Sequence, residues 1–156
     1  MILLLSMTNN KDIIINSETG FPVFDIHLNY PEIHKQFLLN TGCIGAYKIE
    51  WDNYVYTVQK KIVSILSHND KLSADLLNLK LRVEDNMELR DMYPDVIIPG
   101  YHMNKIHWSS IILNKLDELP EGMINDLIDE SYFLVFSKLP KKTRLLIQNN
   151  KGKKND

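Results

Sequence analysis

The sequence predicts an α+β domain, an antiparallel β-sheet with helices packed on one face. Three observations predict it. Apolar residues recur at every second position over several consecutive short runs after residue 46, which is the spacing of half-buried strands. Leu77, Leu79 and Leu81 alternate with Asn78, Lys80 and Arg82, so one sheet face is expected to be core and the other wet and partly basic. Later, Ile124, Leu127, Ile128, Ser131, Val135 and Leu139 recur at helical spacing and form the stripe of a helix able to cover that core.

Taken in order, residues 1–30 read as an extension. Ile13-Ile14-Ile15 and Val23-Phe24-Asp25-Ile26-His27-Leu28 flank the turn-prone Ser17-Glu18-Thr19-Gly20, which suggests a β-hairpin. Pro31 opens a short helix reaching about Leu39, which Gly42 ends by offering a left-handed backbone. Tyr47, Ile49 and Trp51 form one alternating run and Tyr54, Tyr56 and Val58 the next. Ile62-Val63-Ser64-Ile65-Leu66 then runs into the turn-rich His68-Asn69-Asp70. After the leucine strand, residues 84–92 read as a helix closed by Tyr93-Pro94, because a residue preceding proline disfavours helical geometry. Residues 96–100 read as a connection and 107–113 as a further strand. Pro120 opens the longest helix and Pro140 breaks it. The polar, basic tail, 149–156, reads as frayed, leaving 31–148 as the domain proper.

A chain of 156 residues suffices for one core. Hydrophobic residues make up 44% and charged residues 24%, an ordinary globular composition. Eighteen basic residues against 20 acidic ones give a net charge of −2, so attraction to phosphates has to come from a local patch. Acidic residues gather at 117–130 and bases beyond Lys138, an order that also complements a helix dipole. Cys43 is the single cysteine, which excludes an internal disulfide and a cysteine-rich zinc site and suits a reducing, cytoplasmic setting. The apolar start, Met1-Ile2-Leu3-Leu4-Leu5, lacks a basic leader and is too short for a signal peptide or a membrane span.

The run Tyr93-Pro94-Asp95-Val96-Ile97-Ile98-Pro99-Gly100-Tyr101-His102-Met103-Asn104-Lys105-Ile106-His107-Trp108 resembles, without a gap, the central signature of the MmcQ/YjbR family. Further landmarks follow the family order: Leu77-Asn78-Leu79-Lys80 before it, then Ile128-Asp129-Glu130-Ser131-Tyr132 and Ser137-Lys138-Leu139-Pro140-Lys141-Lys142 after it. The resemblance implies a CyaY-like (frataxin-like) fold and DNA binding, with strands and connecting wings approaching the nucleic acid. Three features depart from the family. Residues 1–30 have no counterpart, the first helix is short, and Asn114-Lys115-Leu116-Asp117-Glu118-Leu119 replaces an Asp-Gly turn.

On the polar sheet face and its adjoining loop, Lys80, Arg82, His102, Asn104, Lys105 and His107 are the candidate nucleic-acid contacts: cations for phosphates, amide and imidazole groups for base edges. Tyr101 and Trp108 are expected in the structural core of the signature, Trp108 with its indole N–H bonded inside the loop. No metal site is expected, since His102 and His107 stand five residues apart with neither a second cysteine nor a local carboxylate set. Nor is a catalytic residue or cofactor, because His107 and Ser109 on one strand face would lie about 6–7 Å apart. The expected function is non-enzymatic DNA binding. The alternative is a protein-interaction adaptor or dimerising module using the same surface or the extension, and no membrane association is expected.

Overall fold

The computed structural model describes residues 23–154, with side chains over 25–150. Four strands follow one another through tight turns: β1 Cys43–Lys48, β2 Asn53–Val58, β3 Lys61–Asn69 and β4 Ala74–Lys80. Helix α1, Pro31–Leu39, precedes them with proline in its first turn. Helix α2, Val83–Met92, carries the chain over to β5 Ile97–Pro99, and β6 Trp108–Ile112 returns beside β4. All pairings are antiparallel, in the order β1-β2-β3-β4-β6-β5. Helices α3, Met123–Phe136, and α4, Lys141–Lys154, complete the chain.

The register explains which face is covered. Tyr54, Leu66, Leu77 and Ile111 stand side by side across β2, β3, β4 and β6. All are buried, with Leu79 and Leu81, in one apolar cluster that also takes Phe37 of α1 and Leu127, Ile128 and Val135 of α3. The three leucines predicted to be core are therefore core, and the α3 stripe faces them as its spacing implies. Gly45 is needed on β1 because a Cβ there would come within 2.6 Å of the Tyr54 ring. No helix among the described residues is long and apolar enough to cross a membrane.

Four expectations change. The run 23–28, read as the second limb of a hairpin, is a 3₁₀ helix, Val23–Asn29. It buries Ile26 against the core instead of pairing in the sheet, and the first limb lies outside the described residues. Ile97 and Ile98, read as connection, form β5 because they pair with Ile111 and Ser110. The boundary at residue 148 falls inside α4, which continues through the basic residues to Lys154. Asn78, expected to face water, is buried: the side of β4 away from the helices is partly roofed by the turn at Tyr101.

Under the 3₁₀ helix and α1 sits an aromatic and imidazole cluster. His27 stacks on Tyr54 with ring centres 3.9 Å apart, and Phe37 stacks on Tyr56 at 4.0 Å. The Tyr56 hydroxyl lies 2.8 Å from His34 Nδ1, and burial keeps that phenol protonated by raising its pKa. Burial lowers the pKa of both histidines from the ordinary 6.5, and for His27 the neighbouring His34 lowers it further. The unfolded chain consequently binds more protons than the folded one below about pH 6.5, and stability falls as pH drops through that value. Thermal unfolding between pH 7.5 and 5 should show a falling melting temperature. The fall should be shallower in His34→Gln, and parallel curves for the two proteins would contradict this origin.

Candidate nucleic-acid interface

The segment joining β5 to β6 has no sheet ladder of its own, so its backbone groups need side-chain partners. Two fixed points hold its stem: Leu81 N–H donates to His107 O at 2.9 Å, and Gly100 N–H to Trp108 O at 2.9 Å. A Cβ on Gly100 would lie 2.8 Å from that of Trp108, so only glycine permits this crossing. On the helix side, Asn86 of α2 donates to Leu81 O and Ile106 O and accepts from Ser109 Oγ at 2.6 Å. Arg90, one turn further along α2, donates to Ser109 Oγ at 2.9 Å, to Trp108 O at 2.7 Å and to Lys105 O. Burial lowers the Arg90 pKa, yet a guanidinium remains a cation throughout the working range.

The opposite sheet face has its own network. Asn78 donates to Ile65 O and Ser67 Oγ, both at 2.9 Å, and accepts from Ser110 Oγ. Ser110 in turn accepts the Tyr101 N–H at 3.1 Å. This ties the turn at Tyr101 and His102 down onto the sheet, with His102 in the left-handed region at φ 60°. Between the turn and the sheet lies an open cavity of about 500 Å³, with walls that include Trp51, Ile65, Leu76, Asn78, Tyr101 and Met103.

A second cavity of about 510 Å³ adjoins the first, and Ile62 lines both. Lys60, Lys61, Lys80 and Lys138 surround it, with Trp108, Val135 and Leu139 among its walls. Lys80 and Trp108 are direct cross-strand partners. Ser131 sets the position of Lys80: its hydroxyl donates to Val63 O at 2.8 Å and accepts the Lys80 N–H at 3.2 Å. Val63 stands where the β2–β3 register shifts, so one serine satisfies both the bulge and the last residue of β4. Lys60 and Lys61 follow from a two-residue turn in which Gln59 and Lys60 take φ values of 48° and 65°, the geometry of a type I′ turn. Among the described residues, none of these four ammonium groups is ion-paired; the ion pairs present involve His68 and Arg82.

The predicted contacts do not all meet here. Lys80 lies in the basic cavity. Arg82 is exposed, but its guanidinium is held by Asp85 at 3.2 Å and Glu130 at 2.7 Å. Burial, followed by the neighbouring Asp85, raises the Glu130 pKa, and Arg82 opposes that rise. His102, Asn104, Lys105 and His107 are exposed on the loop. There the Asn104 side chain accepts the Ile106 N–H at 2.9 Å and the Lys105 ammonium donates to Gly100 O at 2.9 Å. Tyr101 is half-buried, its ring edge-on to His102.

Trp108 is half-buried, not core, because the alternation that buries Ser109 turns the indole to the other face of the sheet. Its indole N–H, expected to bond within the loop, has no partner there among the described residues. Lys60, Lys61 and Lys138 lie on the cavity but outside the surface that the sequence predicts. They come from a hairpin turn and a helix end, and no spacing rule connects these with β4. Burial pushes the Cys43 thiol up to about 12, so it is no nucleophile at neutral pH. Among the described residues no three metal-ligating side chains cluster.

Asn86 is fully buried with both of its amide hydrogens and its oxygen engaged. Asn86→Ala strands two carbonyls and a hydroxyl, and should cost about 3 kcal/mol. Chemical denaturation should show the midpoint falling accordingly, and an unchanged midpoint would contradict the role assigned to Asn86.

The YjbR family model matches residues 44–134. Among its relatives, Bacillus subtilis YyaQ is 38% identical over 85 residues, covering 54% of this chain and 66% of that protein. YbdF of Escherichia coli O157:H7 is 39% identical over 66 residues, 42% of this chain and 52% of the relative. The chain thus spans less than two thirds of both. YjbR of Escherichia coli K12 is 31% identical over 104 residues, 66% of this chain and 78% of the other. Among solved structures, the Deinococcus radiodurans protein with domain DUF419 superposes with a TM-score of 0.66 at 24% identity, covering 76% of this chain and 86% of that one. A Pseudomonas syringae protein does so at 0.55 and 24%, covering 69% and 98%. These likenesses agree with the antiparallel sheet and helical cover described above, and the chain belongs to the YjbR family.

Proposed function

We propose that this chain is a non-enzymatic nucleic-acid-binding module with a CyaY-like arrangement of sheet and helices, and that its ligand is DNA. One observation carries the reading: four lysines without acidic partners among the described residues surround a cavity that also exposes an aromatic ring. In a chain of net charge −2 such a local concentration of cations attracts phosphates that the molecule as a whole does not. Lys80 is the central contact. The exposed His102, Asn104, Lys105 and His107 extend the surface along the loop, while Arg82 is already neutralised. The adaptor or dimerising reading draws support from the neighbouring cavity, whose walls include Ile65, Leu76, Trp51 and Met103. Partner binding there would be largely insensitive to salt.

Fluorescence anisotropy with labelled DNA at two salt concentrations separates the readings. Release of two to four counterions predicts a roughly ten- to hundred-fold loss of affinity between 50 and 200 mM salt. Replacing Lys61, Lys80 and Lys138 together by alanine should remove most of the binding and flatten the salt dependence, with folding checked by circular dichroism. Should the wild-type chain bind no DNA, or the folded triple variant bind as well, the adaptor reading replaces this one.

The turn beside the cavity provides a second test. Left-handed backbone at two successive residues with side chains costs about 1–2 kcal/mol each, and Asn-Gly is the sequence that best tolerates it. The double change Gln59→Asn and Lys60→Gly should raise stability by about 1 kcal/mol while weakening DNA binding through loss of one cation. A variant that gains stability without losing affinity would place Lys60 outside the interface.

A further inference from the structure

Resting on the nucleic-acid reading, we infer that Trp108 is a stacking platform for one unpaired base, so the chain prefers single-stranded nucleic acid to duplex. Three observations converge on this. Trp108 is half-buried on the sheet face opposite Ser109 and is not part of the apolar core cluster, so its indole is left partly open on the cavity. Among the described residues its ring stacks on no other aromatic ring, the ring pairs lying elsewhere, as in His27–Tyr54, Phe37–Tyr56, Tyr101–His102 and Tyr132–Phe136, and its partly open side fronts the cavity. Its cross-strand partner is Lys80, with Lys61 and Lys138 on the same cavity.

That set matches the two parts of a nucleotide. The indole face takes the base by stacking, and the flexible lysine stems carry ammonium groups to the phosphates on either side of it. The cavity, about 510 Å³, is of the size that holds one small organic group. A duplex cannot use it without penalty. Its bases are covered on both faces by their neighbours, and a recessed indole reaches one only after it is unstacked and turned out. In a single strand each base already offers a face.

The test uses the full chain carrying Trp51→Phe, so that Trp108 is the sole tryptophan. Four probes are titrated against its emission: a single-stranded oligothymidylate of roughly eight nucleotides, a duplex of the same length, an abasic phosphodiester strand with the same charge, and thymidine monophosphate. The oligothymidylate should quench Trp108 and bind about ten-fold or more tightly than the duplex or the abasic strand. Trp108→Ala should lose that advantage while keeping the salt dependence, and Trp108→Phe should retain most of it. If duplex and abasic strand bind as tightly as the oligothymidylate with emission unchanged, stacking is wrong and phosphate binding alone stands. Should thymidine monophosphate match the oligomer, the site is a mononucleotide pocket and the strand preference is overturned. Absence of binding by every probe removes the nucleic-acid reading along with this inference.

Discussion

Two adjacent hydroxyls of β6 hold the signature loop to the domain. Ser109 and Ser110 point to opposite faces of the sheet, as successive strand residues must, and a buried asparagine meets each one: Asn86 from α2 on the helical side and Asn78 from β4 on the other. A loop lacking a ladder would leave buried carbonyls and amides unpaired, which is costly. Here Ile106 O is taken by Asn86, Lys105 O and Trp108 O by Arg90, and the Tyr101 amide by Ser110. The loop is therefore braced from both sides, and the orientation of Trp108 beside Lys80 follows from it. Ser131 does the same service for the far end of β4, so the cavity walls are fixed by buried polar bonds as much as by apolar contact.

Periodicity made the sheet legible. Leu77, Leu79 and Leu81 and the α3 stripe announce their burial through spacing alone, and Pro31 and Tyr93-Pro94 mark helix limits through steric rules local to the chain. What spacing cannot show is how far the second face is covered. Asn78 and Lys80 are both polar outward positions on one strand, but the turn at Tyr101 encloses the first and leaves the second half-open. Trp108 departs in the opposite sense: its size suggests core, whereas its position one residue before Ser109 assigns it to the partly covered face opposite the apolar core. Val23 to Leu28 has the composition of a strand, but it buries Ile26 through a 3₁₀ turn, a tertiary choice that no local propensity encodes. At the candidate site, Asn104 and Lys105 are polar because the loop consumes polar groups to satisfy itself. Besides Lys80, the unpaired cations around the basic cavity, among the described residues, arrive from Lys60, Lys61 and Lys138.

The electrostatic design is one of separation. Near Arg82, two carboxylates compete for one guanidinium and burial raises the pKa of one of them. Around the basic cavity no carboxylate answers the lysines among the described residues. A chain with nearly balanced charge thus carries a strongly one-sided region, and the strained Gln59–Lys60 turn lies at its rim. Strain of this kind persists where the surrounding structure over-determines it, and here the paired strands on either side do so.

The end of the sheet opposite β1 is closed in an economical way. Strand β5 is three residues long and finishes at Pro99, which has no amide hydrogen, and the Ile97 amide is already bonded to Tyr93 O. An extended peptide arriving at that edge finds too few donors to build a ladder. The signature proline therefore acts as a terminator: it blocks edge-to-edge growth of the sheet into aggregates on the side where a short apolar strand would otherwise invite it.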